Sequence, residues 1–426
     1  MARRARPALD PPRFERGSSC GPAPGDSLGA MLATEATDLI RDLLAATASA
    51  DGDVTAAIDG LGVERTARVL VEEVVFRARL GDTGVRAGEA VSVVLALAHR
   101  GRELATTVCV GPGGIEVRDG HTPGTAPPPA VIAQDLVEVA RALYGPRELV
   151  TAATRAIRWP GHRFVVPSPD REVPPPFYYW VVQRVVQVLD RRGAADLGEL
   201  AVRCGTDKWG ALHQYTPHYE RHFAPLREHR LTILEIGIGG YEDPRRGGTS
   251  LHMWKHFFPR ALVHGIDIAD KSPLDGPRLS TTVADQSKPE ELLEFAERHG
   301  PFDIVIDDGS HVSSHVISTF HTLFPHLRPT GLYVIEDLHT AYWPEVFHGD
   351  DTDLGDPRFT VGFLKTLVDG LHHEEFLRPG ARAPLPTDTQ VIGLHLYPNV
   401  AVVEKGSNAA GSPVADMLRA ARATRS

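Results

Sequence analysis

Two short stretches hold most of the acids and histidines that could do chemistry together. Asp307-Asp308-Gly309-Ser310-His311 follows the apolar run FDIVI, and Glu336-Asp337 follows GLYVI. Carboxylates are hard oxygen donors. Asp308, Glu336 and Asp337 gathered in one place would favour Mg²⁺ or Mn²⁺ over zinc, which prefers nitrogen and sulfur. Three protein ligands leave positions for two substrate oxygens or for water. A divalent cation on a pair of hydroxyls lowers the pKa of the one to be attacked. His311, three residues beyond Asp308 at the start of the next helix, is within reach of the same substrate hydroxyl. His315, one helical turn further on, reads as a packed or solvated histidine, and His372-His373-Glu374-Glu375 as a solvated face.

The acids need elements that carry them to one place. From Leu231 the chain alternates apolar strands with helical segments. LTILEIGIGG, ALVHGIDIAD, LSTTVADQ, FDIVIDDGSH and GLYVIEDLHT read as strands, and TSLHMWKHFF, PEELLEFAERHG and SSHVISTFHTLFPHL as helices among them. Near-continuous apolar strands alternating with helices predict a parallel sheet covered on both faces. Glu235, Asp267, Asp285, Asp307-Asp308 and Glu336-Asp337 all fall at the C-terminal ends of strands. Open α/β sheets bind ligands beyond those ends, at the switch point. Near the C-terminus, TQVIGLHLYPNVAVVEKG predicts a closing hairpin about Pro398-Asn399, necessarily antiparallel.

Upstream, the periodicity predicts helices over 33–49, 64–80 and 130–145, with two or three antiparallel strands over 91–120. This α+β unit, 31–150, carries no catalytic constellation. A Pro- and Arg-rich linker and one helix fill 151–199, and 411–426 is expected to be a C-terminal tail. Residues 1–30 have arginines but no apolar stretch behind them; they are expected to be a disordered tail, not a secretory signal.

Composition narrows the function. At 426 residues the chain has room for two domains, and 42% hydrophobic with 23% charged residues is an ordinary globular mix. A formal net charge of −10 repels phosphate backbones, so no nucleic-acid partner is expected. No apolar run approaches the roughly 18–20 residues that span a bilayer, so no membrane partner is expected either. Cys20, Cys109 and Cys204 are too sparse for a disulfide framework and suit a reducing cytoplasm.

The first strand ends in acid-x-Gly-x-Gly (Glu235, Gly237, Gly239), which resembles the glycine motif of class I S-adenosylmethionine-dependent methyltransferases. A dinucleotide-binding fold shares the architecture, but its GxGxxG is not matched here. In order, GTDKWGALHQYTPHYERHF, LEIGIGG, HGIDI, ADQ, IDDGSH and IEDLHTAYW resemble the metal-dependent sugar O-methyltransferases of macrolide biosynthesis, the mycinamicin VI 2″-O-methyltransferase and demethylmacrocin O-methyltransferase group. The likeness covers roughly residues 200 to 405. It implies a class I, Rossmann-like α/β methyltransferase domain over 200–410, with a mostly parallel seven-stranded sheet and a smaller N-terminal α+β auxiliary domain. S-adenosylmethionine and Mg²⁺ are the implied cofactors.

Carried over by motif, Thr206 closes over the cofactor. Glu235, Gly237, Gly239 and Tyr241 line its methionine side with Ser250. Asp267 holds the ribose, Asp285 and Gln286 flank the adenine, and Asp307 lies alongside. Asp308, Glu336 and Asp337 hold the metal, His311 is the general base, and Tyr342 and Trp343 face the sugar or aglycone. The implied acceptor is a glycoside, the implied assembly a homo-oligomer, specifically a homotetramer. Three alternatives stay open on the residues alone: a phenolic or polyketide acceptor, a hydroxylase-like relative, and a non-catalytic assembly protein.

Overall fold

The computed structural model describes residues 28–50, 53–83, 90–120, 130–159, 177–191, 196–210, 212–378, 380 and 382–424. Two sheets divide the chain. The first contains β1 (Val91–His99), β2 (Arg102–Gly111), β3 (Gly114–Asp119), β4 (Ala130–Asp135) and β5 (Ala156–Arg158), in the order β3-β2-β1-β4-β5. β1 to β3 form the expected antiparallel meander. Arg100 and Gly101, at φ +48° and +79°, make the tight first turn, whose left-handed residues match strand twist.

The helix expected over 130–145 is divided. Ala130–Asp135 pairs in parallel with β1, and only Leu136–Tyr144 is helical. Val131 and Ile132 suit the pleated surface, and β1 offers them a free edge. Asp135 then starts the helix by accepting a hydrogen bond from the Val137 amide at 2.8 Å. Helices Leu28–Ala46, Val54–Leu61, Val63–Ala78 and Phe177–Leu189 join it on the face that carries Val93, Leu95 and Leu97. The helix after the Pro-rich linker is therefore part of this core, through Val181, Val182 and Val185. Val54–Leu61 has no counterpart in the sequence expectations. Of the expected N-terminal tail, residues 1–27 lie outside the described residues and Leu28–Ala30 open the first helix.

The second sheet contains β6 (Thr232–Ile236), β7 (Leu262–Asp267), β8 (Leu279–Val283), β9 (Phe302–Asp307), β10 (Leu327–Ile335), β11 (Val391–Tyr397) and β12 (Val400–Lys405). Their order is β11-β12-β10-β9-β6-β7-β8. The five strands from β6 to β10 are mutually parallel, as expected. The closing hairpin about Pro398-Asn399 is antiparallel and ends the sheet, as expected. β12 lies between β10 and β11, antiparallel to both, so β11 is the edge strand. Burial explains the order: Val400 to Val403 are all buried, whereas β11 is half exposed. A strand apolar on both faces belongs inside a sheet.

Helices cover both faces. Leu197–Cys204, Thr216–Phe223 and Thr249–Phe257 pack over Ile233, Val263 and Ile304. Pro289–His299, Ser313–Leu323 and Thr360–Leu371 pack over Leu234, Ile266 and Val305. The last stretch, expected as a tail, contains the helix Pro413–Ala423. Glu374 and Glu375 accept from the Gly411 amide and the Ser412 hydroxyl at its start, so that acidic run docks a helix.

The two units meet through buried polar contacts. Arg278, fully buried, donates to Glu73 at 2.8 and 2.5 Å and to the carbonyls of Phe258, Ala261 and Lys255. Arg260 donates to the Tyr144 carbonyl at 2.7 Å. Among the described residues, no helix is long and apolar enough to cross a membrane.

Candidate active site

β6 pairs with β7 on one side and with β9 on the other, so the strand order reverses there. Ligands of such sheets enter the crevice beyond the strand ends at this reversal. In the register, Asp307 is level with Ile236 of β6 and Ile335 of β10. Asp308 and Glu336, each one residue further on, therefore emerge side by side.

Asp308 belongs to two groups of ligand atoms. With His311 and Asp337 it offers atoms within 4.8 Å of one another, and with Glu235 and Glu336 it does so again. Glu336 and Asp337 are consecutive, and each belongs to a different one of these two groups. His311 Nε2 lies 3.6 Å from Asp337 Oδ2. The left-handed backbone at His311 (φ +57°) turns the chain there, and the Thr340 hydroxyl donates to its carbonyl. His315 is not in the cluster; its Nδ1 pairs with Ser310 Oγ at 3.0 Å.

Between the acids lies a residue to which the sequence assigned no role. Lys208 Nζ is 2.7 Å from Asp308 Oδ2, 2.6 Å from Glu336 Oε1 and 3.4 Å from Glu235 Oε1. Burial alone would drive this ammonium towards its neutral form. The carboxylates of Asp308, Glu336 and Glu235 outweigh that and hold its pKa well above the usual lysine value. Burial raises Asp308 and Glu336 above the ordinary carboxylate range even with Lys208 beside them. Tyr219 donates to Glu336 Oε1, and Tyr215 donates to Asp337 Oδ1 at 2.6 Å. His213 stacks on Tyr215 and lies 3.6 Å from Asp337 Oδ1. All four come from GTDKWGALHQYTPHYERHF, a segment in which the family likeness gave a role to Thr206 alone. One signal was available: the chain uses arginine for nearly all its cations, so a lysine in a polar segment stood out.

The residues expected around the cofactor fall into several separate hydrogen-bonded groups near the strand ends. Glu235 Oε2 accepts from Ser250 Oγ at 2.9 Å and from the Trp254 indole at 3.1 Å. Burial pushes its pKa up to about 7, with Lys208 opposing. Gly237 has φ +89°, and a Cβ there would lie 2.1 Å from the Asp308 carbonyl. The missing side chain lets β6 approach the end of β9. At Gly239, by contrast, a Cβ would meet nothing within 4 Å, which leaves open space for one.

Asp267 accepts from the Ile238 amide on Oδ2 and the Ala269 amide on Oδ1, tying β7 to the glycine turn. Gln286 donates to Asp307 Oδ1 at 2.7 Å and accepts from the Ser310 amide at 2.7 Å. Asp307 Oδ2 is buried with no partner among the described residues, and burial pushes the carboxyl up to about 7. Asp285 caps its own turn, accepting from the amide and hydroxyl of Ser287. Thr206 is buried beside Lys208, whose amide lies 3.5 Å from its hydroxyl.

Tyr241 is 89% exposed, on a loop that Lys271 pins from below by donating to the carbonyls of Tyr241, Asp243 and Arg246. Lys271 also had no role assigned from sequence. Trp343 is exposed and packs on His339, and Tyr342 is half-buried.

The strand order, the glycine turn and the strand-end acids together define a class I, Rossmann-like methyltransferase with an added N-terminal domain. Residues 40–155 match the family model described as MycE methyltransferase N-terminal. The chain is 47% identical, over 83% of its length and 90% of the relative's, to the 8-demethyl-8-alpha-L-rhamnosyl tetracenomycin-C 2'-O-methyltransferase of Streptomyces olivaceus. It is 41% identical, over 88% and 93%, to the demethylmacrocin O-methyltransferase of Streptomyces fradiae. Among solved structures, the MycE methyltransferase from the mycinamycin biosynthetic pathway, in complex with Mg and SAH, matches with a TM-score of 0.75 and 34% identity, over 88% of this chain and 94% of that one. The chain belongs to the S-adenosylmethionine-dependent sugar O-methyltransferases of antibiotic biosynthesis.

Proposed function

We propose that this protein transfers a methyl group from S-adenosylmethionine to a sugar hydroxyl of a glycosylated polyketide, macrolide or related, using Mg²⁺. The observation that carries the reading is the gathering of carboxylates at the ends of β9 and β10, where Asp308 shares one ligand group with Glu235 and Glu336 and another with His311 and Asp337, in a chain that aligns almost end to end with sugar O-methyltransferases. The residues present fit both groups. Clustered carboxylates suit a hard divalent cation. The space over Gly239 and the unpartnered Asp307 Oδ2 suit a cofactor with hydrogen-bond donors.

Asp308, Glu336 and Asp337 would hold the cation. Thr206, Glu235, Gly237, Gly239, Tyr241, Ser250, Asp267, Asp285, Gln286 and Asp307 would form the cofactor's surroundings. When bound, the cation acidifies and orients the attacked hydroxyl, and S-adenosylmethionine supplies the methyl group. His311 takes the hydroxyl proton on its imidazole, a role typically worth about 10²–10⁴ in rate. Asp337 Oδ2 lies 3.6 Å from that imidazole. Family likeness alone extends the reading to a cytoplasmic homo-oligomer, a homotetramer.

The test is mass spectrometry of rhamnosylated and macrolide glycosides incubated with S-adenosylmethionine and Mg²⁺. A gain of one methyl group on the sugar is expected, abolished by EDTA and by Asp308→Ala and restored to the wild type by Mg²⁺. Full turnover after exhaustive chelation removes the metal from the reading. Methylation of a phenol but of no glycoside overturns the acceptor class.

A further inference from the structure

We infer that Lys208, with Tyr219 and Tyr215, is a positioning device for the metal: it fixes one oxygen of each ligand carboxylate so that the other is left for the cation. The inference rests on the metal-dependent reading above. Lys208 engages Asp308 Oδ2 and Glu336 Oε1, Tyr219 engages the same Glu336 oxygen, and Tyr215 engages Asp337 Oδ1. Among the described residues, no hydrogen bond reaches Asp308 Oδ1 or Glu336 Oε2, and Asp337 Oδ2 faces His311. Asp308 and Glu336 are therefore each tethered at one oxygen only, and Asp337 is tethered at Oδ1 with His311 3.6 Å from Oδ2.

Lys208 is the cation that Asp308, Glu336 and Glu235 share, at 2.7, 2.6 and 3.4 Å. Without Lys208, Asp308 and Glu336 would face each other in a site where charge is poorly screened, and repulsion would swing them apart. The lysine is itself well anchored. It is 1% exposed, and its carbonyl accepts from the amides of Tyr215 and Thr216, which closes the loop onto the helix that carries Tyr219. One segment of chain thus sets all three donors. Partners that orient metal ligands from behind typically change metal affinity by about 10–100-fold when removed.

Simple electrostatics gives the opposite sign. Deleting a positive charge beside a cation site should tighten cation binding if orientation does not matter. Titration of the full chain with Mn²⁺, followed by electron paramagnetic resonance, separates the two. Lys208→Met is expected to bind Mn²⁺ at least about tenfold more weakly than wild type. The spectrum of its bound ion should broaden, reflecting a less regular ligand set, a signature that general loosening of the fold would not produce. Tyr219→Phe and Tyr215→Phe, which keep the rings, should weaken binding in the same direction by smaller factors. Calorimetry with S-adenosylhomocysteine should show near wild-type affinity in both tyrosine variants. Equal or tighter Mn²⁺ binding by Lys208→Met overturns the inference; should that variant fail to fold, unchanged binding in both tyrosine variants overturns it. A wild-type chain that binds no Mn²⁺ removes the metal reading and this inference with it, and the wild-type titration alone tells that failure from the first.

Discussion

Glu73 lies where the auxiliary unit meets the methyltransferase domain, and its replacement by glutamine should cost the whole protein about 3 kcal/mol. The carboxylate is fully buried between Arg278 and Arg77, with Lys255 near. Burial pushes its pKa up, but the three cations outweigh burial and bring it from 4.5 down to about 2. At about 1.4 kcal/mol per pH unit, that lowering corresponds to about 3 kcal/mol of native stability. Removing one partner of a buried ion pair costs about 3–5 kcal/mol by an independent route, because the other charge is left unanswered. Here the unanswered charge is Arg278, which is fully buried and would keep only its bonds to three backbone carbonyls and whatever the substituted amide accepts.

The pH dependence follows from the direction of that change. The native pKa lies below the unfolded one, so the stability is present above about pH 4.5 and is lost as pH falls towards 2. Urea unfolding of wild type and Glu73→Gln at pH 7 and at pH 3, read by tryptophan fluorescence and circular dichroism, should show a gap that is large at neutral pH and smaller in acid. A gap under about 0.5 kcal/mol at pH 7, the range of an ordinary surface change, would refute the account, as would one that is identical at both pH values.

Two further substitutions probe the site. Gly237→Ala places a methyl group 2.1 Å from the Asp308 carbonyl at φ +89°, so β6 or the end of β9 must move; about 1–3 kcal/mol of strain is expected, with loss of S-adenosylhomocysteine binding by calorimetry, and wild-type affinity would contradict it. His311→Ala should leave S-adenosylhomocysteine and Mn²⁺ binding near wild type while turnover drops about 10²–10⁴-fold, and a drop in cofactor affinity that accounts for the lost rate would assign His311 to binding instead.

The order of strands and helices after Leu231 was legible because it rests on local pattern: apolar runs of strand length, each closed by an acid or a glycine. The place of the acids followed too, since a parallel sheet delivers all its C-terminal ends to one edge. Three features were not legible, each for a physical reason. Ala130–Asp135 reads as helix by composition, and only the free edge of β1 makes it a strand. β12 lies inside the sheet because β10 pairs with it more than 60 residues along the chain, a choice made by packing. That a Cβ at Gly237 would collide with the Asp308 carbonyl is set by the approach of two strands about 70 residues apart in the chain.

By itself, then, the sequence determined the kind of protein and the chemical character of its site, because residue type and short-range period are properties of the chain. The tertiary structure decided which charge answers which. Lys208 meets Glu336 across 128 positions, and Glu73 meets Arg278 across 205. Such pairs are set by where whole elements pack, and burial then forces them together, because a lone charge in the interior would cost more than the fold could offset.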